Sequence, residues 1–270
     1  RQLDHAPEQS DAQAGGRAGG VAAGGERRIA PVHFPAMYKL YYWTGIPGRG
    51  EFVRLALEDA GAKYRDVARQ KGDGVIEAFG AKVRTPSFAP PFLVDGDIIV
   101  GQTAAILFYL GPKLGLVPRD PRLRLWVHQI QLTIADFVVE AHDSHHPVGS
   151  SLYYEQQKPE AKRRAREFRR ERVPKFMGWF ETVLRKNVAS QKVLVGRKPG
   201  YVDFSLFQIV EGLAYAYPNL WARIEGDYPL VMAHRERIAA YPALQNYFRS
   251  RRRLDFNTSG LFRHYPELDP

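Results

Sequence analysis

Every strand-like run in this chain falls between residues 37 and 101, and past Pro121 the apolar residues keep only helical spacing. Such a chain is confined to a mixed α/β unit followed by an all-helical one, because the spacing fixes which face of each element can be buried. "YKLYYW" (38–43) is aromatic and apolar, as a buried strand is. From Glu51 to Ala60, Phe52, Val53, Ala56, Leu57 and Ala60 share one helical face, with Arg54, Glu58 and Asp59 opposite, and Gly61 stands at the C-cap. "KYRDVA" (63–68) reads as a second strand. In "PPFLVDGDIIV" (90–100) two apolar runs joined at Asp95-Gly96 predict an antiparallel hairpin. "GQTAAILFYL" (101–110) opens a helix that Gly111-Pro112 is expected to stop.

The order β-α-β, connector, β-β-α is that of a thioredoxin-like unit. The expected organisation is a disordered extension over 1–36, a thioredoxin-like domain over 37–112, a linker over 113–121 and an all-helical domain over 122–270. The extension is rich in Gly, Ala and Gln and almost without apolar periodicity, and its acidic Asp4, Glu8, Asp11 and Glu26 argue against a transit peptide. In the helical part, Val127, Ile130, Ile134, Phe137, Val138 and Ala141 keep one face, and "DFSLFQIVEGLAYA" (203–216) predicts a central buried helix.

Composition removes several chemistries. With no cysteine there is no disulfide, no thiolate-ligated zinc and no nucleophilic thiol, so any sulfur chemistry must use a ligand's thiol. The formal charge of +10 is concentrated in 158–175, where nine Lys/Arg face three Glu. Charges of both signs there read as a solvated helix face, and nucleic acid is not an expected partner. No apolar run reaches the roughly 18 residues that cross a bilayer.

The most informative stretch is "YYWTGIPGRGEFVRLALEDAG" (41–61), an aromatic strand end turning through glycines into a helix. It can place a hydroxyl beside free backbone N–H groups, which is a way to hold an anion. Together with "PPFLVDGD" and "GQTAAILFYL", in that order and spacing, it resembles the cytosolic glutathione transferases over roughly residues 37–270. The resemblance implies a thioredoxin-like N-terminal domain, an all-helical C-terminal domain, glutathione as co-substrate without metal, and a cytoplasmic homodimer engaged in detoxification.

The family must hold glutathione as its thiolate. Lowering a thiol pKa of about 8.5 by about two units takes roughly 2.7 kcal/mol. One charge-assisted hydrogen bond, worth about 1.5–3 kcal/mol, supplies much of that. Tyr41, Tyr42 and Thr44 offer hydroxyls. Tyr42-Trp43 resembles the Tyr-Trp or Tyr-Phe pair of the tyrosine-type (mu, pi and sigma) classes, which implies Tyr42 as the thiolate donor with Thr44 as runner-up. Pro91 aligns with the family's cis-proline. The preceding residue pairs with the cysteinyl backbone of glutathione through N–H and C=O, but here it is Pro90, which has no N–H. Gln102 and Thr103 stand at the Gln/Glu-Ser pair that grips the γ-glutamyl group, and Trp43 and Arg49 are expected at the glycyl end. Asp203 resembles the acidic member of a family capping box and is assigned to folding. His142, His145, His146 and Asp143 match no standard metal spacing, and His142 and Tyr153 are expected beside the second-substrate pocket. Two alternatives share the fold: a non-catalytic binding or scaffolding protein, and a glutathione-dependent peroxidase or isomerase.

Overall fold

The computed structural model describes residues 37–270, and the extension expected over 1–36 lies outside the described residues. The first elements are β1 (Tyr38–Tyr41), α1 (Gly50–Asp59), β2 (Tyr64–Asp66), α2 (Val67–Lys71), α3 (Gly74–Gly80), β3 (Phe92–Asp95), β4 (Ile98–Gly101) and α4 (Thr103–Leu114). Their strands form one sheet in the order β2-β1-β3-β4, with β1 and β2 parallel and the other pairs antiparallel. Asp95 pairs with Ile98, so the hairpin loop is Gly96-Asp97, where Gly96 at φ +59° takes a conformation few other residues accept.

Alternation along β1 decides what each face of the sheet covers. Leu40 and Leu93 pack with Val53 and Leu57 of α1 and with Ile106 and Leu110 of α4. Tyr41, Phe92 and Val94 face the other way, onto Val67, Ala68 and Ile76. The site loop, residues 42–49, therefore leaves β1 between two filled cores.

Pro112 does not end α4. The helix runs on to Leu114, and Gly115 at φ +71° caps it while Leu116 N–H reaches the Gly111 carbonyl at 2.8 Å. A proline in the last turn removes a single backbone donor, which the capping bonds offset. Gly111 is where α4 meets the helical part, since a Cβ there would stand 2.8 Å from Tyr201 Cε1.

The helical part comprises α5 (Pro121–Asp143), α6 (Lys158–Glu167), a π segment (Phe168–Arg172), α7 (Val173–Lys186), α8 (Tyr201–Ala216), α9 (Pro218–Ile224), α10 (Pro229–Ala239) and α11 (Gln245–Phe248). Asp120 caps α5 by accepting the Arg122 N–H at 2.8 Å. Every residue of 201–210 in α8 is buried, the polar Ser205 and Gln208 included. Asp203 accepts the N–H groups of Gly200 and Leu194, both at 2.8 Å, and so ties the preceding loop to the helix start. In the basic stretch Ala161, Ala165 and Phe168 face the core, while Arg164 and Arg172 pair with Glu140 of α5 at 3.4 and 2.7 Å.

Candidate active site

Of the three hydroxyl-bearing side chains at the end of β1, one has its ring packed into a sheet core and one is bonded to a carboxylate. Tyr41 stacks on Phe92, ring centroids 4.5 Å apart, inside the second sheet core. Thr44 donates its hydroxyl to Asp73 at 3.3 Å and its N–H to the same carboxylate at 2.9 Å. Tyr42 remains. Its Oη accepts the Arg49 N–H at 2.8 Å, and among the described residues its own O–H donates to nothing. Burial pushes this phenol above its ordinary pKa of 10.0, while the Arg49 N–H and the nearby Arg49 and Arg54 charges pull it back; it keeps its proton at neutral pH. A phenol that accepts one N–H and retains its O–H can donate to an anion.

The sequence around the ring explains the geometry. Gly48 sits at φ +46°, and a Cβ there would lie 2.8 Å from Tyr42 Cε1 and Cζ and closer still to Oη. A Cβ at Gly50 would lie 2.6 Å from Cγ. Glycine at both positions lets the loop close over the ring far enough for the Arg49 N–H to reach the hydroxyl.

A second set of donors converges at the start of α4. Gln102 holds φ +64° and ψ 122°, which costs a non-glycine residue about 1–3 kcal/mol and is kept only where the surroundings enforce it. The first helical bond runs from Ile106 N–H to the Gln102 carbonyl, and no side chain caps the end, so the N–H groups ahead of Ile106 have no helical acceptor. Gln102, Thr103 and Arg49 line a cavity of about 340 Å³ with Gln131, whose Oε1 is buried without a partner, and with apolar Phe52 and Val138. A guanidinium, a hydroxyl and a helix N-terminus around one cavity suit a carboxylate.

Trp43 and Pro90 line another cavity, about 290 Å³, beside Phe79 and Phe92. The Pro90–Pro91 bond is cis, and Pro91 is buried at the entry to β3. Arg49 and Trp43, both expected at the glycyl end of glutathione, line different cavities, Arg49 the one with Gln102 and Thr103 and Trp43 the one with Pro90. Tyr42 lines neither cavity and lies beneath the loop that adjoins both. Tyr153 is largely exposed, and His142 is half-buried where the Arg49 charge reaches it. His145 and His146 are buried with their Nδ1 atoms in hydrogen-bond contact, and His145 Nε2 donates to the Leu261 carbonyl at 3.0 Å. Among the described residues no group of three or more His, Cys, Asp or Glu is arranged to hold a metal ion.

Known proteins resemble this chain in sequence and in fold. The family profile described as glutathione S-transferase, C-terminal domain, matches residues 142–251. A glutathione S-transferase of Plasmodium falciparum is 26% identical over 220 residues, covering 79% of this chain and 95% of the relative. Glutathione S-transferase P 1 of Xenopus laevis is 27% identical over 213 residues, covering 79% and 92%. By profile over the helical part and by sequence over about four-fifths of its length, the chain is similar to the glutathione transferases. A pi-class transferase of Onchocerca volvulus shares the family fold at TM-score 0.61 and 22% identity, over 78% of this chain and 91% of that one. A monomeric transferase of Necator americanus does so at TM-score 0.62 and 21% identity, over 82% and 100%.

One group of residues behind the site is not visible in the helical pattern. That pattern places Arg54 on the solvent side of α1, yet Arg54 and Glu51 are both fully buried, in contact with each other and with Asp66, Tyr247 and Arg253. The signal lies in "EFVRLAL": residues 50–57 are buried all round the helix, which an amphipathic pattern does not describe. A Glu and an Arg three apart inside such a run can be buried only as partners.

Proposed function

We propose that the protein conjugates glutathione to electrophilic, apolar compounds, and that it does so as a tyrosine-type enzyme, with Tyr42 stabilising the thiolate. The thiol loses its proton to solvent, the sulfur lone pair forms the S–C bond, and the electrophile's leaving group departs with its own bonding pair. The Tyr42 O–H is the donor to sulfur, Gln102, Thr103 and Arg49 receive the γ-glutamyl carboxylate at the start of α4, and the Pro90 carbonyl accepts from the cysteinyl backbone. The observation that carries this reading is the 2.8 Å bond from the Arg49 N–H to Tyr42 Oη, which fills one acceptor site of the phenol and leaves its proton for the thiolate.

We assign the enzyme to the cytoplasm and to detoxification on the family's pattern; among the described residues no helix is long and apolar enough to cross a membrane. Leu125, Leu132 and Val139 of α5 and Phe108 of α4 are exposed, and they support a homodimer formed on that face. Calorimetric titration of glutathione, followed by turnover of 1-chloro-2,4-dinitrobenzene, tests the reading. Binding with turnover supports it. Absence of both favours a non-catalytic relative, which Pro90, lacking a donor to the cysteinyl backbone, would explain.

A further inference from the structure

We propose that Arg54 is a positioning residue for the thiolate donor: it fixes the loop that holds the Tyr42 hydroxyl, and the C-terminal residues Tyr247 and Arg253 keep it in place through Glu51. The inference rests on the reading of Tyr42 as the donor to sulfur.

Contacts lead from one end to the other without a gap. Arg54 Nη1 donates to the Pro47 carbonyl at 3.2 Å and to Glu51 Oε2 at 3.2 Å, and its Nε donates to Asp66 Oδ2 at 2.7 Å. Pro47 is followed by Gly48, which packs on the Tyr42 ring, and by Arg49, whose N–H bonds Tyr42 Oη. The guanidinium itself lies 5.7 Å from the ring centroid of Tyr42. On the far side, Glu51 Oε1 accepts both the Tyr247 hydroxyl and Arg253 Nη1 at 2.6 Å. Asn257, a few residues on, donates to the Gly45 carbonyl at 2.9 Å, so the same C-terminal stretch also holds the other end of the loop.

Stability alone is a weak reason for this arrangement. Arg54 and Glu51 are wholly taken out of water, Asp66 and Arg253 largely so, and Arg54 Nη2 is buried with no partner among the described residues. Apolar residues of similar volume often serve a core as well or better than buried ion pairs. What apolar residues would not supply is a directed donor to the Pro47 carbonyl, which ties the loop conformation to α1. Within the network Tyr247 is the mildest lever, because its replacement by Phe removes one O–H and leaves the ring.

The test compares Tyr247→Phe, Arg54→Lys and Tyr42→Phe by three readouts: the pKa of the bound glutathione thiol from thiolate absorbance, kcat, and KM for glutathione. Arg54→Lys is expected to raise the thiol pKa by about one unit and lower kcat about tenfold below that pKa, with KM little changed. Tyr247→Phe is expected to move both in the same direction by about threefold. In a Tyr42→Phe background neither change should shift the thiol pKa further, because the donor they position is gone. That background also separates a local effect on the donor from a general loosening of the fold. If Tyr42→Phe alone leaves the thiol pKa unaltered, the donor assignment fails and this proposal with it. If Tyr42→Phe raises the pKa while Tyr247→Phe and Arg54→Lys do not, only the positioning role is overturned; should Arg54→Lys not fold, Tyr247→Phe decides.

Discussion

Gly48→Ala should disable the site while leaving the protein folded. The new Cβ would fall 2.8 Å from two carbons of the Tyr42 ring and nearer still to its hydroxyl, at a residue whose φ is +46°. The left-handed conformation costs an L-residue roughly 1–2 kcal/mol. Overpacking a buried ring adds about 1–3 kcal/mol. For a chain of this size the resulting fall in Tm is on the order of 10 °C. The ring or the loop must shift, and either movement breaks the Arg49 N–H bond to Oη and turns the O–H away from sulfur. Loss of the roughly 2.7 kcal/mol that lowers the thiol pKa by about two units returns that pKa toward 8.5. At pH 6.5 the thiolate fraction, and kcat with it, then falls by about fiftyfold. The assay is a pH series of thiolate absorbance and turnover, beside a thermal melt. Gly45→Ala is the control, because a Cβ there meets nothing within 4 Å and its φ is not positive. A Gly48→Ala protein with the parent's thiol pKa and turnover would refute the claim that the close approach of this loop sets the donor.

Three further outcomes follow from the structure. Pro90→Leu restores a backbone donor toward the cysteinyl unit and should lower KM for glutathione by about fivefold, the worth of one hydrogen bond of about 1 kcal/mol, as steady-state kinetics will show. Thr103→Ala removes a hydroxyl from the start of α4 and should raise that KM by a similar factor with kcat nearly constant, while Thr103→Ser should match the parent. His145 is held neutral, its pKa pushed from 6.5 down to about 3 mainly by burial, so the unfolded chain binds a proton that the folded chain refuses. Stability should therefore fall as pH drops below about 6.5 toward 3, and urea midpoints of His145→Asn should show a flatter dependence over that window.

Much of the fold is written in local patterns. Alternation along "YKLYYW" places Tyr41 and Tyr42 on opposite sides of the strand, and the aromatic stack of Tyr41 on Phe92 is the consequence. The Asp95-Gly96 signal locates the hairpin to within one residue. Local rules misplace what tertiary contacts decide. Pro112 reads as a helix stop, yet the contact of Gly111 with Tyr201 and the cap at Gly115 carry the helix past it. Arg54 reads as solvent-facing because its partners, Asp66 and the Tyr247–Glu51 bond, lie 12 and 196 residues apart in sequence, and no periodicity within α1 encodes them. Which cavity Arg49 lines and which Trp43 lines depends on how the loop between β1 and α1 turns, which spacing alone does not determine.

Ultraviolet difference spectra of glutathione bound to the parent and to Tyr42→Phe, taken from pH 5 to 10, bear on the thiolate donor without an electrophile present. The parent should show a thiol pKa about two units below 8.5, and the variant should bind glutathione with its thiol pKa returned close to 8.5. Equal thiol pKa values in the two proteins would contradict the assignment of Tyr42.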